Sequence, residues 1–118
     1  MDAAARLDSV FHALAHPARR EMLRRLLEGE RNLSELAAPL KMSFPAASKH
    51  VRVLEQARLV SRRVMGRMHV CRVEREALEE ANVWLEEYRA GMEAAFQRLD
   101  GLLEEMQEEE RRKRRRKD

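Results

Sequence analysis

The chain has 118 residues and a formal net charge of +3, with 44% hydrophobic and 38% charged residues, enough for one core and too little for two. A single cysteine, Cys71, excludes an internal disulfide and a four-cysteine zinc site and suits a reducing compartment, so a cytoplasmic protein is expected. No apolar run approaches the roughly 18 residues of a membrane span, and "MDAAARLDSV" lacks the basic start and apolar core of an export signal, so no membrane partner is expected.

Charge is segregated along the chain. Residues 1–73 hold 14 Lys/Arg against 7 Asp/Glu, residues 74–110 hold 3 against 13, and residues 111–118 hold 7 against 1. A basic first part followed by an acidic stretch implies that the first part meets a polyanion and the second does not.

In chain order, Leu7, Val10, Phe11 and Leu14 recur at helical spacing and predict a helix over residues 3–15. A second helix starts near Pro17, carries Met22, Leu23, Leu26 and Leu27 on one face, and stops before Gly29. Asn32 with Glu35 three residues on has the spacing of a reciprocal cap, and Pro39 limits this third helix to about two turns. After the tight connection "KMS", Ser43 caps a fourth helix, so the third and fourth form a helix-turn-helix candidate.

On a wheel of about 100° per residue, the fourth helix places Ala47, Val51 and Leu54 on its buried side and Pro45, Ser48, Lys49, Arg52 and Gln56 opposite. An outward face with a hydroxyl, two cations and an amide can donate to phosphates and base edges. The next stretch, "LVSRRVMGRMHVCRV", is rich in β-branched residues and predicts a hairpin pairing Leu59–Val64 with Met68–Val73 about Gly66, with Arg62, Arg63 and Arg67 clustered around its tip.

From about Glu76 the helical period returns. Leu78, Ala81, Leu85, Tyr88, Met92, Ala95, Leu99, Leu102 and Met106 alternate spacings of three and four, a heptad seam flanked by Trp84, Phe96 and Leu103. Such a helix must bury its stripe against the first helix or against a second copy of the chain, and Gly91 and Gly101 are candidate points of kinking or division. The expected organisation is one domain over residues 1–106, including the helices at 3–15 and 76–106, followed by a charged, disordered tail at 107–118.

These residues point to a winged helix-turn-helix, mainly α with a small β-hairpin wing. "FHALAHPARREMLRRL", "LSELAAPLKMSFPAASKHVRVLEQARLV", "RRVMGRMHVCRV" and "WLEEYR" resemble the ArsR/SmtB family of bacterial winged-helix repressors over roughly residues 6–105. The resemblance implies a homodimeric, autoregulated repressor that binds double-stranded DNA at a palindromic operator. Carried over, the family's DNA-contacting positions match Ser43, Phe44, Ser48, Lys49, His50 and Arg52 on the helix and Arg62, Arg63 and Arg67 on the wing. The apolar stripe of the first helix and the seam of the last supply the expected dimer contacts, Leu7, Val10 and Phe11 with Leu78, Ala81, Leu85, Tyr88, Met92, Ala95 and Leu99. The wheel puts His50 on the flank of the buried side, and Phe44 stands where a polar residue often precedes the proline, free to pack on a thymine methyl or back on the protein.

The family's two metal sites are missing: "ELAAP" replaces the cysteine pair of the third helix, and residues 74–110 contain no histidine. No metal, cofactor or small-molecule ligand is therefore expected. A metal- or thiol-responsive repressor would have only His12 with His16, or His69 with Cys71, two ligands each where zinc takes four. A reading of another class is a helical adaptor whose seam recruits a different protein. The absence of a phosphate loop, a nucleophile motif and a complete metal constellation argues against an enzyme.

Overall fold

A computed structural model describes residues 2–117. The elements run α1 (Ala3–Leu14), α2 (Pro17–Leu27), β1 (Arg31–Asn32), α3 (Leu33–Ala37) with a 3-10 turn at Ala38–Leu40, α4 (Phe44–Gln56), β2 (Val60–Met65), β3 (Met68–Val73) and α5 (Arg75–Lys117). The chain divides into two compact units, Met1–Asn82 and Val83–Asp118.

Helix boundaries in the first unit follow the side chains that satisfy orphan backbone groups. Asp2 accepts from the Ala5 amide at 2.7 Å to start α1. His16 starts α2 by accepting from the Ala18 amide through Nδ1 at 3.1 Å, with Pro17 as the first helical residue. The "HPARR" stretch also ends α1: Arg19 donates to the Ala13 carbonyl at 2.7 Å and the His12 carbonyl at 3.1 Å, and Arg20 donates to the Leu14 carbonyl at 2.8 Å. One short sequence thus opens one helix and closes another, fixing the α1–α2 corner.

The capping box expected at α3 is formed. Asn32 Oδ1 accepts from the Glu35 amide at 2.9 Å, and Glu35 Oε1 accepts from the Asn32 amide at 3.1 Å. The connection to α4 turns on Lys41, held at φ 53°, and Ser43 Oγ accepts from the Ala46 amide at 3.2 Å. At the other end of α4, Arg58 adopts φ 60°, donating to the Glu55 carbonyl at 2.9 Å while Leu59 donates to the Leu54 carbonyl at 3.0 Å. That pair is a Schellman ending, and the buried Leu54 and Leu59 supply its apolar contact.

The sheet has order β1-β3-β2. The hairpin pairs Val60 with Val73 through to Met65 with Met68 about a two-residue turn. Gly66 at φ +62° takes the first turn position, the conformation a type II′ turn requires. The two-residue strand β1, which the sequence reading did not include, adds Arg31 opposite Cys71 and Asn32 opposite Val70. Two residues carry too little alternation to be seen as a strand.

The core of the first unit gathers Val10, Met22, Leu26, Leu33, Leu36, Val51, Leu54, Leu59 and Cys71, with Ala77 and Ala81 from the start of α5. Val10 and Ala81, expected at a dimer contact, are buried in the protomer's own core, and Leu7 and Leu78 pack against it. The first turns of α5 close this unit.

The second unit is helical throughout its described residues. α5 passes Gly91 and Gly101 and continues to Lys117, so the tail expected to be disordered is helix as far as it is described. The physical reason is a ladder of neighbouring charges: Glu108 lies 2.9 Å from Arg111 and 3.2 Å from Arg115, with Glu109–Lys113 and Glu110–Arg114 at helical spacing. Composition alone reads a polar tract as unfolded; acid placed before base at four-residue spacing favours helix.

Candidate nucleic-acid interface

The buried and exposed sides of α4 fall where the wheel placed them except at Ser48, which was put on the outward face and is half-buried beneath Arg62. Ala47, Val51 and Leu54 are fully buried, while Ser43, Phe44, Pro45, Lys49, Arg52 and Gln56 are exposed. Lys49 and Arg52 make no hydrogen bond or ion pair among the described residues, nor does Arg67 at the wing tip. By contrast Arg6, Arg24, Arg25, Arg31, Arg72 and Arg75 each have a carboxylate within 3.3 Å. The uncompensated cations thus include one pair on the outer face of α4 and one at the wing.

Arg62 departs from its expected place at the tip. Its register opposite Cys71 points it at α4, and its side chain is only 12% exposed. Arg62 Nε donates to Glu55 Oε1 at 3.0 Å, Nη1 to Ser48 Oγ at 3.1 Å and Nη2 to the Ser48 carbonyl at 3.2 Å, while Nη1 also lies 3.4 Å from His69 Nδ1. A planar guanidinium is suited to this because its donors form a rigid fork. Arg62 is a strut from the wing to α4, and Ser48 spends its hydroxyl on it. Arg63, on the opposite side of the ribbon, is exposed and sits 3.6 Å from Glu30.

Phe44 turns back onto the protein. Its ring meets His69 edge-on with centroids 5.8 Å apart, which ties the first turn of α4 to β3. His50 is also engaged inward. Its Nδ1 lies 3.3 Å from Arg19 Nη1, and its ring packs on His16 with centroids 4.5 Å apart. Burial, with the neighbouring His16 and Arg19, holds the His50 imidazole below its usual value of 6.5. His50 therefore seats α4 on α2, as its flanking wheel position allowed.

That seating has a pH sign. A folded-state value below the unfolded one means the unfolded chain takes up the proton first. Stability is complete above about pH 6.5 and is lost as pH falls from there toward the depressed folded value. Urea midpoints at about pH 7.5 and 5.5 are expected to separate more for the wild type than for His50→Gln, whereas parallel losses would assign the effect to other groups.

The pairs considered for sensing are placed as follows. His12 is exposed, and His16 commits Nδ1 to the α2 cap. Cys71 is fully buried, and burial pushes its thiol up, away from the reactive thiolate. Among the described residues no group of three or more His, Cys, Asp or Glu is placed to hold a metal ion. No helix among them is long and apolar enough to cross a membrane.

Lys41 was passed over in the sequence, yet it is exposed in the turn leading into α4 and its side chain, like that of Arg52, has no partner among the described residues. Its position in a tight turn between two capped helices was the available signal.

On α5 the predicted seam is exposed beyond Ala81. Leu85, Tyr88, Met92, Leu99 and Met106 are 44–59% exposed, and Trp84 stacks on Tyr88 at 5.3 Å.

Three comparisons bear on this arrangement. The family model described as "Bacterial regulatory protein, arsR family" matches residues 16–62, from the α2 cap to the strut arginine. The chain is 43% identical over 63 residues to an HTH-type transcriptional regulator of Mycobacterium tuberculosis, a match spanning 53% of this chain and 59% of that protein, under two thirds of its length. A crystal structure of an ArsR family transcriptional regulator superposes with a TM-score of 0.73 at 36% identity, covering 76% of this chain and 93% of that one. A homodimeric winged helix-turn-helix DNA-binding domain from Mycobacterium bovis, described as a possible ArsR-family regulator, gives a TM-score of 0.56 at 27% identity over 75% of this chain and 82% of that domain.

Proposed function

The chain belongs to the ArsR family of bacterial regulatory proteins, and on that premise we propose that it is a dimeric, sequence-specific DNA-binding repressor acting in the cytoplasm. α4 enters the major groove. Lys49 and Arg52 donate to phosphates and base edges, Ser43 sits at the groove end of the helix, and Arg67 and Arg63 meet the flanking backbone from the wing. Arg62, Ser48, His50 and Phe44 hold α4 and the wing in position. Two copies paired along α5 present two such faces to a palindrome, and a bound dimer over a promoter excludes polymerase.

The observation that carries this reading is the unpaired exposure of Lys49, Arg52 and Arg67 in a chain whose other arginines so often meet carboxylates. Leaving cations without partners on one face lowers stability slightly and creates a field that attracts a polyanion.

The test is fluorescence anisotropy with a duplex recovered by selection from a random-sequence pool. Affinity is expected to fall steeply with salt, and Lys49→Ala/Arg52→Ala to weaken binding by about tenfold or more while flattening the salt dependence by roughly 0.9 per phosphate contact removed. A titration indifferent to salt, or a double variant with wild-type affinity, rejects the assigned face.

A further inference from the structure

The wing tip is apolar where a hairpin tip in water is ordinarily polar. Val64, Met65 and Met68 are 61%, 53% and 51% exposed. Met65 and Met68 are directly paired in register and so project from the same side of the ribbon, while Val64 projects from the other. The turn between the methionines is only Gly66 and Arg67, so the ribbon ends in an apolar point carrying one cation, with Arg63 behind it.

Three side chains at a point are too small for a stable protein contact, which takes about 800 Å² from each partner. Their cationic surround selects a polyanion instead. A ribbon whose strand axes lie about 4.8 Å apart is too broad to lie in a minor groove about 6 Å wide, so only the side chains at its tip, around the two-residue turn, can enter. Methionine is flexible and polarisable, and its sulfur makes favourable contacts with an aromatic ring such as a partly unstacked base presents.

We propose that the wing tip is a wedge: Met65 and Met68 enter the minor groove, part-open a base step and bend the duplex, while Arg67 pairs with the phosphates beside it. The proposal rests on the DNA-binding reading above and adds to it an activity, deformation of the bound DNA. Apolar wedges of this kind unstack a step and turn the duplex toward the major groove. The step opened is one that kinks readily, a pyrimidine–purine step such as TA or CA. The wing then contributes to sequence choice without a hydrogen bond to any base. The strut from Arg62 to α4 gives the wedge a fixed distance from the recognition helix, so the kinked step falls at a set spacing from the bases that α4 contacts.

The experiment compares wild type, Met65→Ser/Met68→Ser and Arg67→Ala on an end-labelled duplex of about 30 base pairs chosen by selection with the wild-type protein. Energy transfer between the ends reports bending, and anisotropy across a salt series reports affinity. The substituted methionines are exposed, so thermal midpoints are expected to stay near the wild type. Wild type is expected to raise transfer on binding; the methionine variant is expected to bind about tenfold more weakly, with little rise in transfer and an unchanged salt slope. Arg67→Ala is expected to flatten the slope by about 0.9 per protomer. Sites selected by wild type are expected to carry a TA or CA step at constant spacing from the α4 contacts, a preference absent from sites selected by the methionine variant. Equal transfer for wild type and the methionine variant, or no rise with wild type, overturns the wedge while leaving the DNA-binding reading intact. A wild type that enriches no duplex, with flat titrations, overturns both.

Discussion

Replacing Arg62 with alanine is expected to destabilise the fold by about 2 kcal/mol and to weaken DNA binding by more than tenfold without changing the salt slope. The stability loss follows from what Arg62 touches. Glu55 loses its partner, and the Ser48 hydroxyl and carbonyl lose their donor. Removing one member of a buried pair costs about 3–5 kcal/mol, but the Glu55 side chain is 33% exposed and recovers some water, which brings the figure down. The affinity loss comes from geometry. Without the strut, the wing and α4 no longer hold one relative position, and ordering them on DNA costs affinity.

The salt slope separates this role from direct contact. An arginine on phosphate releases counterions, so removing it flattens the dependence by about 0.9 per protomer; an arginine turned inward releases none. Arg62→Lys sharpens the distinction, since an ammonium keeps the charge but cannot form the fork to Glu55 and Ser48. It is expected to behave nearly as alanine does. A lysine variant with wild-type affinity, or an alanine variant with a flattened slope, would return Arg62 to the DNA-contacting set.

Arg62 also shows where the sequence stopped being informative. Helix positions came through because caps and apolar periods are local: Asn32 with Glu35, Ser43, Pro17 and the Ala47–Val51–Leu54 face each depend on residues within one or two turns. The outward direction of Lys49 and Arg52 came through for the same reason. Whether a wing arginine points to solvent or to α4 depends on strand register and on Glu55, seven residues away across a turn, which no local pattern encodes. The His16–His50–Arg19 contact likewise joins residues 31 or more apart. The helical end of α5 was hidden for a different reason, because a composition argument weighs charge content and ignores the order in which acid and base are placed.

Disrupting the α5 seam is expected to have a still larger effect on DNA binding than the loss of Arg62, with the protomer fold retained. Met92 and Leu99 are 44% and 49% exposed in the single chain and lie in the second unit, outside the core built by residues 2–82. Glutamate at both positions therefore removes no core packing. It does add charge to a face that the proposed dimer must desolvate, and it does so in a stretch that already holds 13 Asp/Glu against 3 Lys/Arg. Met92→Glu/Leu99→Glu is expected to sediment as a monomer with a circular dichroism spectrum and thermal midpoint for the first unit close to wild type.

Affinity for a palindromic duplex is then expected to fall by about 10²–10⁴-fold, because two half-site contacts made at once become one. Affinity for a single half-site is expected to change little. That contrast is the decisive measurement, since a general loss of folding weakens both duplexes together. If the variant remains dimeric, the seam is not the dimer contact. If wild type is monomeric and the seam instead retains a different protein, the adaptor reading replaces the repressor.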